Sequence, residues 1–254
     1  MKLPGIYEIF QNEWEKCQDL FLISDTHFND EELYIGTQKA IRASAEDYIK
    51  LINSKCGKTS GLIHLGDVGD LNCISKLRAS YKMLILGNHD AGHTVYQRKI
   101  YKKIFDADKY NKQDIIEIMK NEYPNYHISI SDICYDVQHV PFTYYIAFAD
   151  NRLFDRVFQG PVMIGEKLIL SHEPLTLDWA LNIHGHIHSP NAKNEKNCFN
   201  ICPDATGHFE PIPLKKILEG GYMSGVKTVH RSTIDSATKR ARKRGKKFGK
   251  KMEA

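Results

Sequence analysis

Long apolar runs are missing from this chain of 254 residues. None approaches the roughly 18 residues that a bilayer-spanning helix needs. Met1-Lys2-Leu3-Pro4-Gly5 opens no apolar leader, so neither a membrane span nor a secretory signal is expected. Cysteine is sparse: Cys17, Cys56, Cys73, Cys134, Cys198 and Cys202 are scattered through a chain too long to need covalent staples. Free thiols in a reducing cytoplasm are the expectation. Cys198 and Cys202 are the only close pair, and their spacing inside an expected strand fits a zinc knuckle poorly. Internal repeats are absent too. What is present is ordinary for a globular protein: 42% hydrophobic and 26% charged residues.

Acid is missing from one stretch. Residues 239–251 hold nine Lys or Arg and no Asp or Glu. Of the 35 basic and 31 acidic residues, the body up to residue 238 keeps 26 and 30, so it sits near −4 although the whole chain is at +4. A block of this kind reads as an interaction tail for nucleic acid or an anionic surface, or as a merely solvated end. The acidic body argues against a broad nucleic-acid groove. The expected organisation is one domain over residues 1–231, followed by a basic tail at 232–254.

Along the body, short and nearly continuous apolar runs alternate with helical periodicity. Asp19-Leu20-Phe21-Leu22-Ile23-Ser24 reads as a strand buried on both faces and ends in Asp25-Thr26-His27. Helical spacing follows from Glu32 to Asn53. Gly61-Leu62-Ile63-His64-Leu65 is a second such strand, ending in Gly66-Asp67-Val68-Gly69-Asp70. Tyr81 to Leu86 is a third, ending in Gly87-Asn88-His89-Asp90. Lys99–Tyr110 and Gln113–Glu122 are expected to be helical, and Ser129–Asp150 gives no clear signal. A hairpin at Val162–Leu170 runs into Ser171-His172-Glu173-Pro174. Alternating strands and helices predict an α/β fold, in which ligands gather at the carboxyl ends of the strands.

Three of the twelve histidines, His184, His186 and His188, fall within five residues. In an extended segment they would share one side, where buried imidazoles need partners. Neutral imidazole is also the commonest metal ligand. Taken alone, each polar cluster has a bland reading: Asp25 and His27 as a chance pair, Asp67 as a helix cap, Asn88 within a turn, His172 as a loop histidine. Their shared placement after apolar strands favours a metal site. A mixed Asp, Asn and His set suits manganese, iron, zinc or nickel better than magnesium or calcium. Seven candidates, Asp25, His27, Asp67, Asn88, His172, His186 and His188, exceed what one ion needs and point to two.

This ordered series of five motifs resembles the calcineurin-like metallophosphoesterases, most closely the small bacterial and phage type whose first motif reads Asp-Thr-His-Phe. The resemblance covers residues 19–90 and 155–215. It implies a four-layer α/β/β/α sandwich with two divalent metal ions, manganese first among them. Asp25, His27 and His188 are implied to hold one ion and Asn88, His172 and His186 the other, with Asp67 bridging. His89 is implied to face the phosphate as general acid or charge stabiliser, Asp90 to orient the His89 ring, and Asp70 to stand just outside the ligands. His184 is the surplus imidazole. The implied reaction is attack of a metal-bridging hydroxide on a phosphate ester, a diester in preference to a monoester. A nuclease or RNA-end-processing activity using the basic tail is the alternative. A non-catalytic scaffold and a binding module recruited through the tail are the other classes. Gly66-Asp67-Val68-Gly69 lacks the Asp-Arg-Gly of phosphoprotein phosphatases, which counts against a phosphoprotein substrate. The extra segment at about 106–150, rich in Tyr and Phe, is either a cap over the site or a satellite packed away from it.

Overall fold

The computed structural model describes residues 3, 5–30, 44–137, 140–189 and 197–222. The basic tail, and the first part of the helical stretch expected over 32–53, lie outside the described residues.

Three strands with both faces buried build the centre. β1 (Asp19–Ile23), β2 (Ser60–His64) and β3 (Tyr81–Ile85) pair in parallel, and β7 (Arg156–Phe158) adds beside β3. β12 (Ile212–Pro213) closes the other edge antiparallel to β1. Leu20, Leu22, Ile63, Met83 and Ile85 face one way, into a core shared with Ile164, Leu168, Leu170, Leu181 and Ile183. Those partners come from a second sheet ordered β11-β10-β9-β8, formed by Cys198–Asn200, Leu181–His184, Leu168–Leu170 and Val162–Gly165. α1 (Glu8–Glu13) contributes Phe10 to the same core, and Trp14 follows just beyond it. Alternate residues Phe21, Ile23, Leu62, Leu84 and Val157 face the other way. There they pack on α2 (Ala45–Lys55), through Tyr48, Ile49 and Ile52, and on α3 (Leu71–Ser75), through Cys73 and Ile74.

The α/β class therefore holds. The helix–sheet–sheet order describes three layers of the expected sandwich. On the outward side of the second sheet Asn182 is held by a loop, accepting from the Leu175 amide at 2.7 Å.

The segment after α4 (His93–Tyr96) corrects the sequence expectation. Residues 99–110 were expected to be helical, but β4 (Ile100–Asp106) is a strand. Ile100 and Ile104 mimic helical spacing, yet all seven residues of the strand pair antiparallel with β6 (Val140–Asp150). β5 (His127–Val137) pairs along the other side of β6, giving a three-stranded sheet. α5 (Lys112–Glu122) starts at an Asn111 capping box, as its polar first turn allows. It covers one face through Ile115 and Met119 against Ala147 and Ala149. This small core is distinct from the two larger ones. The stem of the insertion is clamped by Arg98, which bonds Asp150 and Asp155 at 2.5 and 2.6 Å. Asp155 also accepts from the Lys82 amide at 2.8 Å, near the start of β3. The stem therefore joins the core at the end of the sheet opposite the one that carries Asn88.

The six cysteines are all free thiols. No helix among the described residues is long and apolar enough to cross a membrane.

Candidate metal centre

The carboxyl ends of β1, β2, β3, β9 and β10 lead into the segments bearing the seven candidate ligands, and the structure brings all seven together. The local backbone is unusual. Asp25, His27, Asn29, Asp67 and His186 have φ of 51°, 40°, 58°, 56° and 68°. Left-handed conformations are uncommon outside glycine and cluster at functional sites. The first two loops are laced together: the Asp25 amide donates to the Gly66 carbonyl and the His27 amide to the Asp67 carbonyl, at 2.9 and 3.0 Å. Glycines leave room for the carboxylates. A Cβ on Gly87 would come within 2.2 Å of Asp67 Oδ1, and one on Gly185 within 2.2 Å of Asp25 Oδ2.

Two groups of side chains result. In the first, donor atoms of Asp25, His27, Asp67 and His188 lie within 4.8 Å of one another. In the second, His172 Nε2 and His186 Nδ1 stand 2.9 and 3.0 Å from Asn88 Oδ1 and 3.2 Å from each other. Asp67 Oδ2 joins the groups, 3.5 Å from His27 Nε2 and 3.3 Å from His172 Nε2.

The chemistry of these donors fits a cation. His172 Nδ1 meets the Leu65 carbonyl at 2.7 Å, His27 Nδ1 meets Asp30 Oδ2 at 3.0 Å, and His188 Nδ1 meets Asp204 Oδ2 at 2.5 Å. A carbonyl or carboxylate oxygen only accepts, so each Nδ1 carries the hydrogen. In the neutral ring each Nε2 then offers a lone pair to the cluster, facing carboxylate or amide oxygens that are also acceptors. Imidazole lone pairs and two carboxylates converging on one place call for positive charge. The same demand raises two imidazoles. Burial lowers His172, but its bond to Asp67 and the nearby Asp25 charge lift it above the usual histidine value. Burial also opposes His188, yet its bonds to Asp204 and Asp25 carry it up to about 12. Burial likewise works against the Asp67 carboxylate, while His172 and the His89 amide bring it down to about 2.

His89 is exposed at the mouth of the cluster, its ring 5.4 Å from that of His27. Asp90 serves differently from the expectation. Rather than orienting the His89 ring, its carboxylate accepts from the amides of Asp67, Val68 and Gly87 and from the Tyr96 hydroxyl, at 2.8 to 3.2 Å. It ties the β2 loop to the β3 loop. Asp70 caps α3 through the Asn72 amide and accepts from Asn29 Nδ2, both at 2.9 Å. His184 is buried and turned onto the Gly185 carbonyl at 2.7 Å, outside both groups.

Sequence reasoning missed four contributors. Asp30 lies three residues after His27, a spacing that could have signalled it. Asp204, and Cys202 with its Sγ 3.6 Å from His188 Nδ1, arrive from beyond β11 with no local cue. His64 donates from Nε2 to Thr26 Oγ1 at 2.9 Å, and that hydroxyl donates to the Val68 carbonyl at 2.8 Å. It pins the first turn from behind.

The geometry is that of a mixed α/β fold with an Asp, Asn and His cluster, a candidate metal site, at its strand ends. The family described as Metallophos, calcineurin-like phosphoesterase, matches residues 19–194. The chain belongs to this family, whose members use divalent metals. No curated protein matches the chain. Among solved structures, one described as the protein of unknown function AQ665 from Aquifex aeolicus is 17% identical. Its match covers 79% of this chain and 98% of that one, at a TM-score of 0.45.

Proposed function

We propose that this chain hydrolyses phosphate esters, diesters in preference to monoesters, with two divalent cations, manganese foremost and iron, zinc or nickel also suited. The observation that supports two cations is Asp67 Oδ2, set between His27 Nε2 and His172 Nε2 at 3.5 and 3.3 Å. Asp25, His27 and His188 would hold one cation, Asn88, His172 and His186 the other, and Asp67 both. When bound, such a pair supplies Lewis acidity to phosphoryl oxygens and lowers the pKa of a water.

The chain's own groups would do the rest. The Nδ1 bonds to Leu65, Asp30 and Asp204 hold three rings with Nε2 inward. His89, exposed at the mouth, would stand beside the leaving oxygen and give it a proton or neutralise its charge. The insertion, anchored at the opposite end of the sheet, reads as a satellite rather than a cap, within one domain over 1–231. Six free thiols support a reducing, cytoplasmic setting.

The test is hydrolysis of bis-p-nitrophenyl phosphate against p-nitrophenyl phosphate with manganese, in wild type and Asp67→Ala. The variant should lose bound metal and turnover together. A fully loaded, active Asp67→Ala enzyme would overturn the shared-carboxylate reading. A second reading, cleavage or end-processing of nucleic acid, rests on the nine basic residues of 239–251. It requires hydrolysis of an RNA or DNA substrate that falls steeply with salt.

A further inference from the structure

Away from the histidine cluster, a cavity of about 580 Å³ opens where the start of β5 faces the loop between α3 and β3. That volume is in the range of small-molecule sites. Its wall is strongly basic. Among the described residues, Lys58, Lys76, Arg78, Lys82, Arg98 and Arg152 line it, against two acids, Asp150 and Asp155. Both acids are already engaged: each bonds the Arg98 guanidinium, and they also accept from the amides of Arg152 and Lys82. Lys82 is only 4% exposed and spends its ammonium on the carbonyls of Ile74 and Arg152. Four exposed cations, Lys58, Lys76, Arg78 and Arg152, remain without an ion pair among the described residues. Arg152 is held in a left-handed conformation, φ 55°, by the Asp150 bond to its amide and the Lys82 bond to its carbonyl. The backbone is thus fixed where a guanidinium overlooks the cavity.

Concentrated positive charge in a concave wall focuses potential and attracts anions. Guanidinium groups are matched to phosphate oxygens in particular. Among the described residues no Phe, Tyr or Trp lines the cavity. Sites for single-stranded nucleic acid combine cations with large aromatic platforms for the bases, so these walls, with His127 as their one ring among the described residues, suit phosphates better than stacked bases.

We propose that this cavity, between the insertion and the core, is a binding site for a polyphosphate anion: an inorganic polyphosphate, or a nucleoside di- or triphosphate held by its phosphates. Arg78 and Arg152, with Lys58 and Lys76, are its recognition groups. The site is independent of the proposed hydrolysis, because no residue of the histidine cluster lines it.

Calorimetric titration of the full chain, stripped of divalent metal, decides the matter. The probes are tripolyphosphate, adenosine triphosphate and an unphosphorylated thymidine oligonucleotide. Tripolyphosphate should bind and weaken roughly tenfold or more on Arg78→Glu with Arg152→Glu, as two attractions become repulsions. Lys58→Glu with Lys76→Glu should weaken it independently, which guards against one pair acting through misfolding. Asp67→Asn should leave it unchanged. Adenosine triphosphate binding as tightly assigns the site to nucleotides; much weaker binding assigns it to the inorganic chain. The proposal falls if tripolyphosphate does not bind, or if binding survives both pairs and so belongs to the basic tail. It also falls if Asp67→Asn abolishes binding, or if the oligonucleotide binds comparably through the same arginines.

Discussion

His64 touches none of the candidate ligands directly, yet it sets the turn that carries two of them. Its bond to Thr26 Oγ1 holds the segment between Asp25 and His27. Burial pushes its pKa down to about 4. A depressed imidazole stays neutral in the fold while the unfolded chain takes up a proton below about 6.5. The unfolded state then binds more protons, so stability falls as pH drops from about 6.5 to 4. Between pH 7 and pH 5 this group should cost about 2 kcal/mol. His172 and His188 act in the opposite direction in metal-free protein, so the informative quantity is the difference between wild type and His64→Gln. Denaturant melts at both pH values should show the variant losing about 2 kcal/mol less. At the neighbouring position of the cluster, Asp204→Asn should keep the fold but weaken metal binding roughly 10- to 100-fold, measured by competition with a chelating dye. His89→Ala should retain metal and lose turnover by a factor on the order of 10² to 10⁴. Near-normal turnover in that variant would remove His89 from the reaction.

Elements explain why those residues meet. Each parallel strand delivers one short polar loop to a common edge, and the loops approach so closely that side-chain volume matters at their glycines. Gly87→Ala places a methyl against Asp67 Oδ1, where 2.2 Å of space exists. The expected result is a loss of about 1–3 kcal/mol together with weaker metal binding, read by thermal melts with and without manganese. The strand ends were legible in the sequence because Leu20–Ile23, Leu62–Leu65 and Met83–Ile85 are largely buried on both faces and read as nearly continuous apolar runs, broken only by His64. The seven candidate ligands were legible because each follows a short, largely apolar strand within a few residues. Asp204 was not, since its contact with His188 depends on how the chain returns after β11. The strand at 100–106 was misread because Ile100 and Ile104 lie four apart, while the partners that make them a strand, Asp150 and Ile146, are some forty to fifty residues away in β6. Pairing at that distance leaves little local trace.

At the scale of the whole molecule, the stem of the insertion and the candidate metal centre lie at opposite ends of one sheet. Arg98→Met should therefore loosen the stem and lower the melting temperature. The ratio of diester to monoester turnover should stay as in wild type; a changed ratio would restore the cap reading. The left-handed backbone at Asp25 and Asp67 bears on the history of such a molecule. The residues that tolerate this conformation best are glycine, asparagine and aspartate. A single base change turns an aspartate codon into either of the other two. Drift at these positions can therefore erase a carboxylate without disturbing the chain that carries it. A lineage built on this backbone can fall silent as an enzyme while persisting as a folded protein, free to be recruited for binding alone.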